Sequence, residues 1–161
     1  MVEGGKVVMI NNISAIDLSK FIIHYYNNCK KDISNLKLQK ILYYIQGYYL
    51  KSHNKVAFDS NIYNWPYGPV VKDVYYEFNI YGSKNIVLND EFENLNIRLK
   101  PMLKDIVLKV LSKCSDMSAF ELVNKTHSET PWSNTSLGQE ITTDSIYDYF
   151  SKNNPLELEV S

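Results

Sequence analysis

Three observations predict a mainly α fold: a compact helical domain of about five to six helices around one central helix, with a small β-hairpin-like element. Residues 35–53 carry apolar side chains on two sides of a helical wheel, as a helix packed between neighbours does. Further segments repeat apolar residues at helical spacing behind capping residues. One short stretch, 56–65, is instead rich in aromatic and β-branched residues, the composition of a strand.

In chain order, Ser14 and Asp17 open a first helix over 15–28, with Leu18, Phe21, Ile22 and Tyr25 at helical spacing. Ser34 opens the central helix. Leu38, Ile41, Leu42, Ile45 and Tyr49 form one stripe, and Leu36, Tyr43 and Leu50 form a second. Gly47 lies near that second stripe, where a missing side chain permits close backbone approach. Residues 56–65 are predicted to pair with 86–88 as a hairpin-like sheet. Between them Pro69 fits the first turn of a third helix and Gly82 its end, with Val71, Val74, Tyr75 and Phe78 as its buried stripe. Residues 89–100 carry no readable pattern. Pro101 starts a fourth helix, on which Leu103, Ile106, Val107, Val110, Leu111 and Cys114 give the strongest periodicity in the chain. Ser118 and Glu121 form a capping box for a fifth helix ending near Thr126. Pro131-Trp132 interrupts the chain, and 143–151 reads as a last helix facing inward with Ile146, Tyr149 and Phe150.

The 161 residues read as one domain over 14–152, between an N-terminal extension at 1–13, disordered or partly non-native, and a frayed acidic tail at 153–161. Glu3-Gly4-Gly5 is encodable as a ribosome-binding sequence, which makes Met9 the expected natural start. With 45% hydrophobic and 22% charged residues the chain is ordinary globular material. A net charge of -1 gives no general attraction to nucleic acid or anionic membrane. The charge is uneven, however. Residues 30–55 hold six lysines against Asp32, whereas 116–161 hold eight acids against Lys125 and Lys152. No apolar run approaches the ~18 residues of a membrane span, and the N-terminus lacks a signal-peptide layout. A cytoplasmic protein is expected. Cys29 and Cys114 read as small core residues in a reducing compartment.

Three places invite a functional reading, each beside a structural one. The turn at Trp65, Tyr67, Gly68 and Pro69 is either a recognition element with aromatic anchors or a strand-to-helix joint seating Trp65 in the core. His127, near Glu129 and Trp132, either serves acid–base chemistry or hydrogen-bonds the end of the fifth helix while Trp132 plugs a gap. No nucleophile elbow or metal-ligand spacing accompanies it, so the expectation is no enzyme, no metal and no cofactor. Lys37, Lys40 and Lys51, with Tyr44 and Tyr48, either bind single-stranded nucleic acid or form a solvated lysine edge with tyrosines covering the core. The near-neutral total favours the second, and the same edge could meet an acidic protein partner.

Three strings recur here in a telling order: Leu38-Gln39-Lys40-Ile41-Leu42-Tyr43-Tyr44-Ile45-Gln46-Gly47, then Trp65-Pro66-Tyr67-Gly68-Pro69-Val70, then Thr126-His127-Ser128-Glu129-Thr130-Pro131-Trp132. Together they resemble the Panacea (SocA-like, phage-associated GepA-like) antitoxin domain over about residues 14–152, with Gly47, Gly68, Pro69 and Trp132 as structural signature positions. Ile41, Ile45 and Pro66 depart slightly from that pattern. The resemblance implies a non-catalytic domain, in a bacterial host cell, that neutralises a cognate toxin by direct contact. It leaves room for a phage counter-defence protein, such as an anti-CRISPR, or a proteolytic adaptor that binds a host protein. The residues expected to touch the partner are Lys40, Tyr44, Trp65, Tyr67 and His127, chosen for aromatic and charge pattern and not from the resemblance.

Overall fold

The computed structural model describes residues 13–89 and 97–159, together with the backbone of 2–3 and 6–7. Near the N-terminus β1 (Val2–Glu3) pairs antiparallel with β2 (Lys6–Val7). Met9 and most of 89–100 lie outside the described residues, so the proposed start and that uncharacterised stretch are not addressed by the fold.

Helix α1 (Ala15–Asn28) begins where Ser14 Oγ accepts the Asp17 amide at 3.0 Å. It buries Ala15, Leu18, Ile22 and Tyr26, while Phe21 and Tyr25 are only partly covered. Helix α2 (Asn35–His53) is capped by Ser34 and closed by Asn54 in the left-handed conformation. Every residue from Lys37 to Leu50 is buried, because α1, α4 (Pro101–Cys114), α5 (Ala119–His127) and α7 (Thr143–Lys152) surround it. The expected central helix is therefore present, apolar on both sides for that reason. At Gly47 a Cβ would overlap the Phe150 ring of α7, so glycine is what lets these two helices approach.

The fourth and fifth helices follow their sequence signals closely. All six residues of the predicted α4 stripe are buried. The Ser118–Glu121 capping box is formed in both directions, at 3.0 and 3.1 Å, worth about 1 kcal/mol at such a terminus. A single turn, α6 (Thr130–Ser133), stands where Pro131-Trp132 was expected to interrupt the chain.

The sheet differs from expectation in its pairing. Strand β3 (Ile62–Trp65) lies between β4 (Gly68–Val70) and β5 (Glu140–Ile141), both antiparallel to it. The predicted partner, 86–88, is not a strand. Its polar backbone is met elsewhere, by Asn27 and by the carbonyl of Ile33. Pro69 likewise sits in edge strand β4 and not at a helix start; α3 (Lys72–Phe78) begins three residues later and runs into a short 3-10 turn at Asn79–Tyr81 before Gly82. Proline suits an edge strand as well as a first helical turn, since both need no N–H.

Three further expectations change. The stretch after α7 is not frayed through 158: Leu156 and Leu158 pack into the core, and Tyr48 Oη accepts the Leu156 amide at 2.8 Å while donating to Asn154 at 2.6 Å. Cys29 is exposed, whereas Cys114 is buried as expected. Lys37 and Lys40 do not form a solvated edge. Both are buried, Lys37 donating to the Met117 carbonyl at 2.7 Å.

Candidate functional site

The β3–β4 turn and the parts of α2 and α3 beside it frame a cleft of about 280 Å³. Leu36, Trp65, Tyr67, Val70 and Tyr75 give it apolar walls, and Asn35 and Gln39 lie at its base. Those two amides are engaged with the fold. Gln39 Nε2 donates to Asn35 Oδ1 at 3.0 Å, Asn35 Nδ2 donates to the Tyr75 carbonyl at 3.1 Å, and Gln39 Oε1 accepts the Val71 amide at 2.8 Å. With the two amides at its base spoken for, the cleft offers mainly contact area. Around it the aromatics interlock edge to face: Trp65 on Tyr75 at 4.9 Å between centroids, and Tyr75 on Tyr76 at 5.4 Å. Large apolar groups here face solvent, Tyr67 at 63% exposure, Tyr76 at 60% and, between cleft residues Asn79 and Gly82, Ile80 at 86%.

The turn carrying Trp65 and Tyr67 is fastened from several sides. Gly68 adopts φ 111°, open to glycine and strained for other residues. Trp132 Nε1 donates to the Trp65 carbonyl at 2.9 Å, and Lys40 Nζ donates to the Pro69 carbonyl at 2.9 Å. Asn64 Nδ2 donates to the carbonyls of Trp132 and Thr135, both at 2.8 Å, which ties β3 to α6.

A second buried polar group lies one helical turn further along α2. Glu129 accepts the Tyr43 hydroxyl at 2.9 Å and the Tyr44 hydroxyl at 2.8 Å, one on each carboxylate oxygen. Burial raises the Glu129 pKa to about 7, outweighing the two tyrosine hydrogen bonds, which lower it. The same burial, with the carboxylate beside them, pushes both tyrosine hydroxyls far above their ordinary range. Burial alone brings Lys40 down to about 7, and no carboxylate reaches it within ion-pair distance among the described residues.

Of the five residues chosen as partner contacts, Trp65 and Tyr67 meet at the cleft. Lys40 and Tyr44 do not. Both are at 0% exposure and cannot touch a partner of the folded chain; their polar ends serve Pro69 and Glu129 instead. His127 is half-buried, its ring stacked on Trp132 at 4.0 Å between centroids. It does not cap α5, whose last carbonyls are met by the backbone amides and hydroxyl of its neighbours, Ser128 Oγ to Lys125 at 2.7 Å among them. Sequence reasoning placed Tyr75 in a buried stripe and Glu129 beside His127, and gave neither of them, nor Gln39 or Tyr76, a place in the site. The one available signal was polar: Asn35 and Gln39, one helical turn apart on a helix whose two apolar stripes mark it as packed between neighbours.

The family model described as "Antitoxin SocA-like, Panacea domain" matches residues 38–133, more than half of the chain. The chain belongs to that family. The matched span runs from α2 to α6 and so contains the β3–β4 turn, α3 and most of the cleft lining. Antitoxin SocA of Caulobacter vibrioides (strain NA1000 / CB15N) is 33% identical over 109 residues, a match covering 62% of this chain and 58% of that relative. This Panacea chain thus aligns with little more than half of that curated relative. No solved structure matches significantly. Among the described residues no helix of the Panacea chain is long and apolar enough to cross a membrane.

Proposed function

We propose that this chain is the antitoxin of a toxin–antitoxin pair and neutralises its toxin by direct, non-catalytic contact. The contact surface is the aromatic face built on the β3–β4 turn and α3, with Trp65 and Tyr75 as walls and Tyr67, Tyr76 and Ile80 as protruding anchors. Membership of an antitoxin family supports the pairing with a toxin. The location rests on one observation: large apolar side chains are exposed together beside a cleft whose polar base is already hydrogen-bonded. A cluster of this kind marks interaction surfaces, and tyrosine and tryptophan are favoured anchors at their centres. Fastening of the turn to α2 and α6 limits the conformational entropy lost on binding, which raises affinity for a given area.

The test is co-expression with the product of the neighbouring gene, which this reading expects to be a small toxic protein. The wild-type chain restores growth. Tyr67→Asp combined with Tyr76→Asp, both surface changes, abolishes rescue while the purified variant keeps the wild-type melting temperature. Full rescue by that folded variant would place the toxin elsewhere on the molecule.

A further inference from the structure

We propose that Lys40 is a positioning residue: from inside the fold it latches the backbone of the β3–β4 turn and so sets the orientation in which Trp65 and Tyr67 are displayed. The functional importance of that orientation rests on the reading above; the latch itself does not.

Sheet geometry explains why a latch is needed. Asn64 takes its backbone bonds on the β5 side, its amide donating to the Gln139 carbonyl at 2.9 Å and its carbonyl accepting from Gly138 at 2.7 Å. The pair Asn64–Pro69 is therefore a non-hydrogen-bonded one in the β3–β4 ladder. Pro69 has no N–H, and its carbonyl points out of the open edge of β4 into the protein, where water cannot serve it. Lys40 Nζ is the donor that meets it, at 2.9 Å. The stem of the same lysine lies directly under the turn, since a Cβ on Gly68 would stand 2.7 Å from Lys40 Cε and 2.9 Å from Thr126 Oγ1. One residue earlier on α2, Gln39 Oε1 holds the Val71 amide at 2.8 Å. Consecutive side chains of the most buried helix thus grip the turn at two backbone groups, 69 and 71.

Stability does not account for a lysine here. An amine with no counter-charge in a dry site is unfavourable, and an unbranched apolar side chain of similar length would fill the same space. What methionine would not supply is the hydrogen-bond donor for Pro69. Lysine contributes geometry at the expense of global stability.

Native-state hydrogen exchange on the free chain, at pH 6–7, tests this without any partner. In the wild type the Val71 amide exchanges as slowly as mid-α2 amides, because the turn opens only when α2 does. In K40M the melting temperature is equal or higher, yet the amides of Gly68, Val70 and Val71 exchange at least about tenfold faster, with α4 amides no faster than in the wild type. Unchanged protection of 68–71 in a folded K40M would overturn the assignment. Should K40M not fold, the wild-type measurement decides: a local opening that frees 68–71 while α2 stays closed refutes the latch. Neither result depends on the toxin, whose binding is tested separately by the Tyr67 and Tyr76 substitutions.

Discussion

Replacing Lys40 by methionine should change stability with a sign that depends on pH. In the folded chain burial lowers the Lys40 pKa from 10.5 to about 7. Below pH 7 the lysine is charged in both states, and the folded protein bears the whole cost of desolvating it, roughly 4–5 kcal/mol for a lowering of that size. As pH rises from 7 to 10.5 the folded form is neutral while the unfolded form still carries its proton, so the cost fades and is gone above 10.5. Methionine removes the titration altogether. It also strands the Pro69 carbonyl, which loses its 2.9 Å donor at an expense of about 1–3 kcal/mol at any pH. The balance makes K40M more stable than wild type by about 1–4 kcal/mol at pH 6, and less stable by about 1–3 kcal/mol near pH 10.5. Urea unfolding of both proteins across this range, followed by circular dichroism, measures the difference directly. Tyrosine titration is common to both chains and cancels. A K40M destabilised equally at pH 6 and pH 10 would refute the picture of an uncompensated buried amine.

Glu129 behaves in the opposite sense: its pKa rises from 4.5 to about 7, so wild-type stability falls by up to about 3 kcal/mol between pH 4.5 and 7 through this group, and Glu129→Gln flattens that slope in urea titrations. Gly47→Ala lowers the melting temperature although alanine favours helix, because its Cβ meets the Phe150 ring; the cost of about 1–3 kcal/mol shrinks when Phe150→Leu is added, which a double-mutant cycle reads. Leu156→Ala destabilises by about 2–4 kcal/mol in thermal or urea unfolding, as a core leucine does and a frayed tail residue does not. Tyr67→Ala changes stability by no more than about 0.5 kcal/mol while weakening toxin binding in calorimetry.

Helices with local signals were legible in the sequence: the α4 stripe, the α5 capping box and the doubly apolar α2 each specify themselves within a few turns. The sheet was less so, because β3 chooses between 68–70 and 86–88 by contacts remote in sequence, and Asn27 with Ile33 had already claimed the backbone of 86–88. Residues 153–158 read as a tail since their two leucines alternate with acids behind a polar, proline-containing stretch; only the Tyr48 hydroxyl, some hundred residues earlier, reveals where they dock. In the candidate site, Trp65 and Tyr67 were visible as aromatics beside a glycine turn. Lys40 and Tyr44 were misplaced for one physical reason. Polar side chains in a run such as 37–44 resemble a solvated face unless their distant acceptors, the Pro69 carbonyl and Glu129, are known.

The central claim, neutralisation by contact, predicts a stoichiometry. Titrating the purified chain into a fixed concentration of its toxin, well above the dissociation constant, while following the toxin's activity should give a linear loss that ends at a fixed molar ratio of the two proteins, with the Tyr67→Asp, Tyr76→Asp variant leaving the toxin active. Complete and progressive inactivation by a small fraction of an equivalent would mean turnover, and would contradict the account.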